Sequence, residues 1–423
     1  MSQQLDKDKE LHRTEAFGRS KMKSKEGLAR QLTYTLRAFI HDSRSVGLLL
    51  IVCTLISLMI SNSGAAISQS YMDVWQRDIP FLTAVASKYG LHLPESPIHL
   101  INDFLMAIFF FMAGMEIKRE LIKGELSSPK KAGLPVIAAI SGVALPAVLF
   151  LLLNRGTDFG HGWGIPTATD IAFSLGVAAL LGPKVPYSLK VFLTALAIID
   201  DLCAILIIAL FYGGQIAGLW LGIAAACLPL LWMTGKYLKG YFKQTLRILL
   251  AMILWYSVLQ SGIHPTIAGI LFAFMIPTGE LAIFEKKVHV PVNFIIIPLF
   301  ALANTCILLP ASWSSVFTST LSWGILLGLF IGKPLGIGLI CFMVIRAGWF
   351  KLPKGCTWKQ FIGIGILAGI GFTMSIFVTT LAYSDPAFQA DAKIAVLLAS
   401  SLAMVVGFIW LYSTGKKKPA LSE

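Results

Sequence analysis

Two adjacent carboxylates, Asp200 and Asp201, lie within an apolar stretch of the chain, ALAIIDDLCAILIIAL. The 22 residues from Val191 to Tyr212 hold no other charge, and a helix of that length crosses a hydrocarbon layer of roughly 30 Å. An ionised side chain at the centre of a bilayer costs about 2.5–3.5 kcal/mol on insertion scales. The pair therefore requires charged partners or a water-filled cavity.

The same pair of carboxylates indicates ion chemistry. Like charges on neighbouring residues repel each other, and a bound proton or a bound cation removes that repulsion. A sodium ion suits carboxylates together with hydroxyl and carbonyl oxygens, such as those of Thr169 and of unwound backbone. Competition between protons and a cation for Asp200 and Asp201 is the core of cation/proton exchange. The pattern predicts sodium and protons as substrates, with no cofactor.

Two of the apolar segments are interrupted. GWGIPTATDIAF (Gly162–Phe173) places glycines, a proline, two threonines and Asp170 within one span, where an unbroken helix would lose backbone hydrogen bonds. Thr167 and Asp170 have the spacing of a capping box, which predicts that a second half-helix begins there. GIGILAGIGFTMSIF (Gly363–Phe377) concentrates four glycines in another span. Paired interruptions in the two halves of a chain indicate the binding site of a transporter.

Asp170 and Lys333 are further charges deep within apolar segments. Interrupted helices leave positive partial charge at the N-termini of their half-helices and negative partial charge at the C-termini. Asp170 suits the positive ends, and Lys333, in FIGKPLGIG, suits either the negative ends or a carboxylate. For Asp170, a structural role in charge balance and a role in the ion site both stay open.

A charged cluster follows the second apolar segment in AGMEIKRELIKGEL. Glu116 and Glu120 are four residues apart and share one helix face, with Arg119 beside them. The cluster is either a snorkelling helix end or a funnel that attracts cations and senses pH. Histidine side chains ordinarily titrate near neutral pH, which makes His264 and His289 candidates, but a lone histidine is often structural and neither predicts a pH sensor by itself.

Twelve predicted spans account for most of the chain, which is 56% hydrophobic and 13% charged. They run roughly over residues 45–62, 97–117, 133–153, 161–181, 191–212, 216–234, 246–260, 263–277, 291–310, 321–345, 360–382 and 392–413. With the N-terminus inside, 30 of the 35 Lys and Arg residues fall in inner segments. This asymmetry predicts an all-α polytopic membrane protein with both termini cytoplasmic. The net charge of +13 therefore reflects topology and gives no reason to expect nucleic-acid binding.

The predicted spans form one transmembrane domain at 45–413, between a polar N-terminal tail at 1–44 and a C-terminal tail at 414–423. The interrupted spans are the fourth and the eleventh. They predict inverted-topology repeats, in spans 3–5 and 10–12, whose two discontinuous helices cross at the membrane midplane. The six cysteines show no disulfide or metal-ligand spacing.

Seven motifs occur in order within the membrane portion: INDFLMAIFFFMAGMEIKRE, GWGIPTATDIAFSLGVAALLG, LKVFLTALAIIDDLCAI, SGIHPTIAG, PLFALAN, IGKPLGI and GILAGIGFTMSIF. In this combination the chain resembles the NhaA-type sodium/proton antiporters. The resemblance implies a secondary transporter of the bacterial inner membrane and not an enzyme. It also implies electrogenic alternating access, with sodium or lithium expelled, a larger number of protons admitted, and activation at alkaline pH.

The resemblance implies roles for individual residues. Asp200 and Asp201 would bind the ion and the protons, and Thr169 and Asp170 would lie at the crossing of the broken helices. Lys333 would pair with a site carboxylate, most directly Asp200. The residues implied in the cytoplasmic funnel and the pH response are Asp103, Glu116, Arg119, Glu120, His264, Glu285 and His289.

Two further features concern regulation and assembly. Lys286 stands where family members carry histidine, so the activation pH does not carry over to this chain. Family members often form homodimers through a strand-like outer hairpin, and Ser87–Leu100 is the segment expected to supply it. The partners implied are thus the lipid bilayer, the transported ions and a second copy of the chain.

Three other functions fit parts of the pattern. A sodium-coupled organic-anion symporter could use the same scaffold, although it would need a roomier cavity and no titrating pair. An intramembrane aspartyl protease needs two carboxylates that face each other from different helices, which Asp170 and Asp200 could imitate, but neither lies in a GxGD-type motif. A passive channel is disfavoured by the charges and broken helices at mid-depth.

Overall fold

The computed structural model describes residues 43–415 apart from Ala311, and these residues form helices with no β-strand. The helices are α1 (Ser43–Ser61), α2 (Ala65–Gln76), α3 (Pro80–Tyr89), α4 (Pro97–Lys123), α5 (Pro129–Leu153), α6 (Ile171–Leu180), α7 (Tyr187–Phe211), α8 (Gly218–Tyr237), α9 (Gly240–Gln260), α10 (Thr266–Met275), α11 (Leu281–Asn304), α12 (Trp313–Thr318), α13 (Thr320–Arg346), α14 (Trp358–Ala368), α15 (Phe372–Ala382) and α16 (Pro386–Thr414). A 3₁₀ helix, Asp158–Thr167, precedes α6. The predicted tails lie outside the described residues, except for 43, 44, 414 and 415.

Eight helices in the described part of the chain are long and apolar enough to cross a membrane, namely α4, α5, α7, α8, α9, α11, α13 and α16. Two further spans are bent pairs: the 3₁₀ helix with α6, at 42°, and α14 with α15, at 40°. The predicted first and eighth spans coincide with shorter apolar helices, Ser45–Ser61 and Thr266–Met275. The prediction of an all-α polytopic membrane protein with two interrupted spans is confirmed. By length and composition the structure supports up to ten spans, so the count of twelve is not confirmed.

The helix that carries the paired aspartates, α7, is the most enclosed of the long helices. In its most apolar window 72% of the residues are buried, against 22–50% in the other seven. Helices α4, α5, α6 and α14 pack around it, and every residue from Ala195 to Asp201 is buried. A helix that is apolar on all sides belongs in the interior of a bundle. Asp200 and Asp201 are therefore held inside the protein and away from the lipid-facing surface.

Close backbone contacts position α13, which carries Lys333. A Cβ atom on Gly336 would lie 2.4 Å from the Ser141 carbonyl oxygen of α5, and one on Gly369 would lie 2.4 Å from the Leu329 carbonyl oxygen of α13. Only glycine allows helices to approach so closely. The helix also widens into i→i+5 turns over Gly328–Gly332, directly before Lys333, and such π turns are frequent at functional sites.

A charged cluster ties the start of α11 to α8 and α9. Glu280, which precedes α11, accepts hydrogen bonds from Lys243 and from Arg247, each over 2.5 Å. Arg247 is 2% exposed and also donates to Thr234 of α8 over 3.2 Å. We call Lys243, Arg247 and Glu280 the Glu280 clasp. It fixes the beginning of the helix that carries Glu285.

The segment expected to form an outer dimerisation hairpin, Ser87–Leu100, has another conformation. It contains the end of α3, an irregular stretch and the start of α4. A hairpin requires paired strands, and none is present among the described residues. The homodimer remains a prediction.

Candidate ion site

The two bent spans break next to each other. The 3₁₀ helix ends at Thr167, and α6 begins four residues later. In the same way α14 ends at Ala368, and α15 begins four residues later. The Asp170 amide donates a hydrogen bond to the Ile370 carbonyl over 2.7 Å. One unwound stretch therefore contacts the other through the backbone, and both lie in the interior of the bundle.

Asp170 caps both half-helices that leave these breaks. Its Oδ1 accepts from the Phe173 amide of α6 over 3.0 Å, and its Oδ2 accepts from the Thr373 amide of α15 over 3.0 Å and from the Thr373 hydroxyl. One carboxylate thus meets the positive ends of two half-helices. The predicted capping box at Thr167 is wrong, because the Thr167 hydroxyl donates to the Gly164 carbonyl within the 3₁₀ helix and Asp170 is itself the cap.

Asp200 is joined to α13 and to one of the breaks. Its Oδ2 lies 2.5 Å from Lys333 Nζ and accepts from the Thr169 hydroxyl over 2.5 Å. Lys333 Nζ also donates to the Thr167 carbonyl over 2.5 Å. Asp200, Lys333 and Thr169 are all 0% exposed. Attraction between the two charges must therefore offset the desolvation of both, and loss of either partner would leave a buried charge uncompensated.

The Thr169 hydroxyl links the protonation of Asp200 to the other break. Its oxygen lies 2.7 Å from the Ala368 carbonyl oxygen as well as 2.5 Å from Asp200 Oδ2. A hydroxyl group carries one proton, so it can donate to only one of these acceptors. If Asp200 is protonated, it can donate to Thr169 while Thr169 donates to Ala368. Gain or loss of that proton therefore changes a hydrogen bond at the end of α14.

Two carboxylate oxygens at the centre of the site have no partner. Oδ1 of Asp200 and Oδ1 of Asp201 are buried and accept no hydrogen bond from the described residues. Each oxygen of Asp170, in contrast, has a donor. A buried acceptor without a partner is costly unless water or an ion meets it. Asp200 and Asp201 thus offer oxygens that can take up a proton or a cation, whereas those of Asp170 are already used.

A cavity of about 750 Å³ connects the site with the charged end of α4. Its wall contains Asp170, Asp201 and Thr373 from the site, and Glu116, Arg119, Glu285, Lys286, His289 and Asn293 from α4 and α11. Arg119 pairs with Glu285 and lies 3.7 Å from carboxylate oxygens of Glu116 and Glu120. The structure therefore brings Glu116, Arg119, Glu285 and His289 together with Asp201 in one cavity. Glu120 contacts Arg119 and accepts from the Glu125 amide over 3.0 Å, outside the cavity wall.

Asp103 and His264 are not brought to this cavity. Asp103 precedes Glu116 by 13 residues in α4, which is about 20 Å along a helix. His264 Nε2 lies 3.6 Å from Asp103 Oδ1, and His264 Nδ1 lies 2.8 Å from Thr266 Oγ1. The His264 ring packs against Phe377 of α15, with 5.2 Å between ring centroids. The two residues form a cluster of their own, at the opposite end of α4 from the funnel residues.

Two tyrosines that were not predicted from the sequence hold the 3₁₀ helix. Tyr212, which follows α7, accepts from the Gly164 amide over 3.0 Å, and Tyr383, which follows α15, donates to the Phe159 carbonyl over 2.8 Å. A Cβ atom on Gly162 would lie 2.0 Å from the Tyr383 hydroxyl oxygen. The glycines of GWGIP were a sign of such close contacts, although they do not reveal the partner.

Comparisons with known proteins agree over nearly the whole chain. The family model described as Na+/H+ antiporter 1 matches residues 37–411. The Na(+)/H(+) antiporter NhaA of Cytophaga hutchinsonii is 44% identical, over 93% of this chain and 98% of that protein. NhaA 1 of Flavobacterium johnsoniae is 45% identical, over 90% and 97%, and NhaA 1 of Klebsiella pneumoniae is 44% identical, over 89% and 95%. With a family model and full-length relatives in agreement, the chain belongs to the Na+/H+ antiporter family.

Proposed function

We propose that this protein exchanges sodium or lithium ions for protons across a bacterial inner membrane, at a site formed by Asp200 and Asp201. The observation that carries the proposal is the unpartnered, buried Oδ1 atom on each of these carboxylates. Among the ion pairs of the described residues, Lys333 is the one cation that contacts either carboxylate, and it does so at Asp200. When both carboxylates are ionised the three groups sum to one negative charge, which a bound proton or a monovalent cation can neutralise.

Lys333 can release Asp200 without losing every hydrogen bond. Its ammonium group donates to the Thr167 carbonyl as well as to Asp200. A sodium ion or a proton that reaches Asp200 takes over the role of the lysine charge, and the ammonium group keeps its backbone acceptor. Lys333 therefore acts as an internal counter-ion whose contact with Asp200 the substrate replaces.

The ratio of carboxylates to cation supports an electrogenic cycle. Two carboxylates can each bind a proton, whereas one monovalent cation together with Lys333 already balances both charges. More than one proton can thus enter for each cation that leaves. Protons compete with the cation for the same oxygens, so activity is expected to rise with pH. The paired charges of Glu116, Arg119 and Glu285 share the cavity with Asp201 and can adjust this response.

The orientation proposed for the cavity follows from charge. In the predicted topology 30 of the 35 lysines and arginines lie on the side where α4 ends, and the positive-inside rule makes this the cytoplasmic side. The cavity therefore corresponds to a cytoplasmic funnel, with the N- and C-termini on the same side.

The function can be tested by sodium-induced proton movement in everted membrane vesicles, scanned from about pH 6.5 to 8.5. The wild-type protein should dissipate a preformed pH gradient when sodium or lithium is added. Asp200→Asn and Asp201→Asn should abolish the response, and Asp201→Asn should do so while folded protein remains in the membrane. Asp73→Asn is the matched control, since the Asp73 side chain is exposed on α2 and bonds only to Gln69 among the described contacts. Transport by Asp201→Asn at the wild-type rate would refute the site assignment.

The same vesicles separate the alternatives. A sodium-coupled organic-anion symporter would take up the anion with sodium and leave the pH gradient intact. An aspartyl protease requires two carboxylates that share a proton, but Asp170 is bonded to Phe173 and Thr373 while Asp200 is bonded to Lys333 and Thr169. The geometry therefore favours exchange.

A further inference from the structure

A second cavity, separate from the ion site, lies where α5 and α7 begin and the α13–α14 loop crosses them. Its volume is about 640 Å³. One part of its wall is apolar and includes Leu134 and Pro135 of α5, Phe192 of α7 and Leu352 of the loop. The Ser188 hydroxyl donates to the Lys354 carbonyl over 2.7 Å, which ties the loop to the first turn of α7. The cavity is thus bordered by three segments of the protein.

The rim of this cavity is strongly basic. Four lysines line it, Lys130, Lys131, Lys351 and Lys354, and Glu125 is the single acidic residue among the lining residues. Glu125 pairs with Lys131, with 3.6 Å between the charged atoms. The carboxylate neutralises one lysine, and three positive charges remain to face a ligand.

Two of the lysines occupy an electrostatically unfavourable position. Lys130 and Lys131 lie in the first turn of α5, which begins at Pro129 and has no acidic residue in that turn. The N-terminus of a helix carries positive partial charge and favours anions, so two cations there destabilise the helix when nothing balances them. An anion bound in the cavity would meet the helix terminus and the lysines together.

The aromatic residues beside the cavity indicate its depth. Trp349 is 73% exposed, and Phe350 packs against Gly133 of α5, where an added Cβ would lie 2.3 Å from the ring. Exposed tryptophan next to lysines at the end of a span is typical of the membrane–water interface. At such an interface the apolar wall would face acyl chains and the lysines would face headgroups.

We propose that this cavity binds an anionic phospholipid, with its phosphate among the four lysines and an acyl chain along the apolar wall. Basic pockets between membrane helices bind acidic headgroups in this way. The cavity borders the first turn of α7, so a bound lipid stabilises the start of the helix that carries Asp200 and Asp201. This proposal does not depend on the ion that the protein transports.

Native mass spectrometry of the full chain in detergent tests the proposal, with phosphatidylglycerol as the probe and phosphatidylcholine as the neutral comparison. The wild type should retain phosphatidylglycerol in preference to phosphatidylcholine. The variant Lys130→Gln/Lys131→Gln/Lys351→Gln/Lys354→Gln should bind phosphatidylglycerol at least about tenfold more weakly. The matched control removes four exposed lysines elsewhere on the predicted cytoplasmic side: Lys236→Gln/Lys239→Gln/Lys287→Gln/Lys359→Gln. Its binding should stay at the wild-type level.

Three outcomes would overturn the proposal. Equal loss of binding in both quadruple variants would show attraction by overall charge, and equal retention would show that the lipid binds elsewhere. Binding of glycerol 3-phosphate as tight as that of phosphatidylglycerol would show a site for a soluble phosphate ester. If the quadruple cavity variant does not fold, two double variants give the same comparison. The cavity variant is then Lys130→Gln/Lys351→Gln, and its control is Lys236→Gln/Lys239→Gln.

Discussion

The proposed ion site and the Glu280 clasp are built from similar residues in opposite proportions. In the clasp two cations, Lys243 and Arg247, share one carboxylate, and each oxygen of Glu280 has a partner. At the ion site one cation, Lys333, serves two carboxylates, and an oxygen on each is left without a donor. The clasp thus carries a net positive charge, which disfavours an arriving cation, whereas the ion site with both carboxylates ionised carries a net negative charge. In this molecule the proportion of positive to negative groups separates the clasp from the proposed ion site.

The two clusters also differ in contact with water. Asp200 and Lys333 are 0% exposed, whereas the Glu280 side chain is 26% exposed. Interactions between charges weaken as solvent access increases. Substitutions at the ion site should consequently have larger effects on stability than the corresponding substitutions in the clasp.

The largest effect is expected for Lys333→Met. This change leaves Asp200 buried without a counter-charge, which should lower the free energy of unfolding by about 3–5 kcal/mol at alkaline pH. The loss should shrink at acidic pH, because protonated Asp200 carries no charge. Thermal unfolding in detergent, at alkaline and at acidic pH, measures this loss of stability. The double variant Lys333→Met/Asp200→Asn should regain much of the loss, and failure to do so would mean that Lys333 acts through packing and not through charge.

Asp170→Ala should have the next largest effect. It removes the cap of both half-helices and leaves the Phe173 and Thr373 amides without an acceptor, for an expected loss of about 3 kcal/mol. Asp170→Asn keeps one acceptor oxygen and should lose less. The free energy of unfolding of both variants tests whether Asp170→Ala loses more stability than Asp170→Asn. Equal losses would argue against capping of both half-helices by Asp170.

Glu280→Gln should have a smaller effect, of about 2 kcal/mol at neutral pH. Burial raises the pKa of Glu280, but hydrogen bonds and charge from Arg247 and Lys243 prevail and hold it below its ordinary value of 4.5. The folded protein therefore binds this proton less tightly than the unfolded chain does. The stabilisation that the clasp contributes is therefore complete at pH values above the ordinary pKa of Glu280. It is lost as the pH falls through the lowered pKa of the folded protein.

Unfolding of wild type and Glu280→Gln from about pH 7 down to pH 3.5 tests this sign. The difference in stability between the two proteins should narrow as the pH decreases. A difference that stays constant over that range would show that ionised Glu280 is not what the clasp requires.

Lys243→Gln should have the smallest effect in this set. Arg247 remains paired with Glu280 and keeps its bond to Thr234, so the expected loss is about 0.5 kcal/mol. The same unfolding assay measures it. A loss as large as that of Glu280→Gln would mean that the two cations of the clasp are not redundant.

Local sequence signals were sufficient to predict the interruptions and the residues next to them. Proline, glycines and Asp170 within one apolar segment indicated a break that the structure contains, and the charged pair of α7 stood out because an apolar helix rarely carries two carboxylates. These signals depend on residues close together in the chain. Span length was harder to predict, because α10 comprises ten residues and relies on packing against α4 and α9.

Contacts between distant segments could not be predicted in the same way. The capping of two half-helices by Asp170 depends on Thr373, 203 residues further along the chain. Asp103 and Glu116 were both expected in the cytoplasmic funnel. They lie 13 residues apart on α4, and the length of this helix places them far from each other. Hydrogen bonds from Tyr212 and Tyr383 to the 3₁₀ helix likewise depend on tertiary packing, for which a single sequence carries no periodic signal.

The 3₁₀ helix Asp158–Thr167 spans ten residues, although such helices seldom exceed three or four. At about 2.0 Å per residue it is roughly 5 Å longer than the same residues would be in an α-helix. Phe159, near its outer end, is bonded to Tyr383, and Thr167, at its inner end, is bonded to Lys333. A change in the winding of this segment would therefore move the acceptor of Lys333 relative to Asp200 while the outer anchor stays in place.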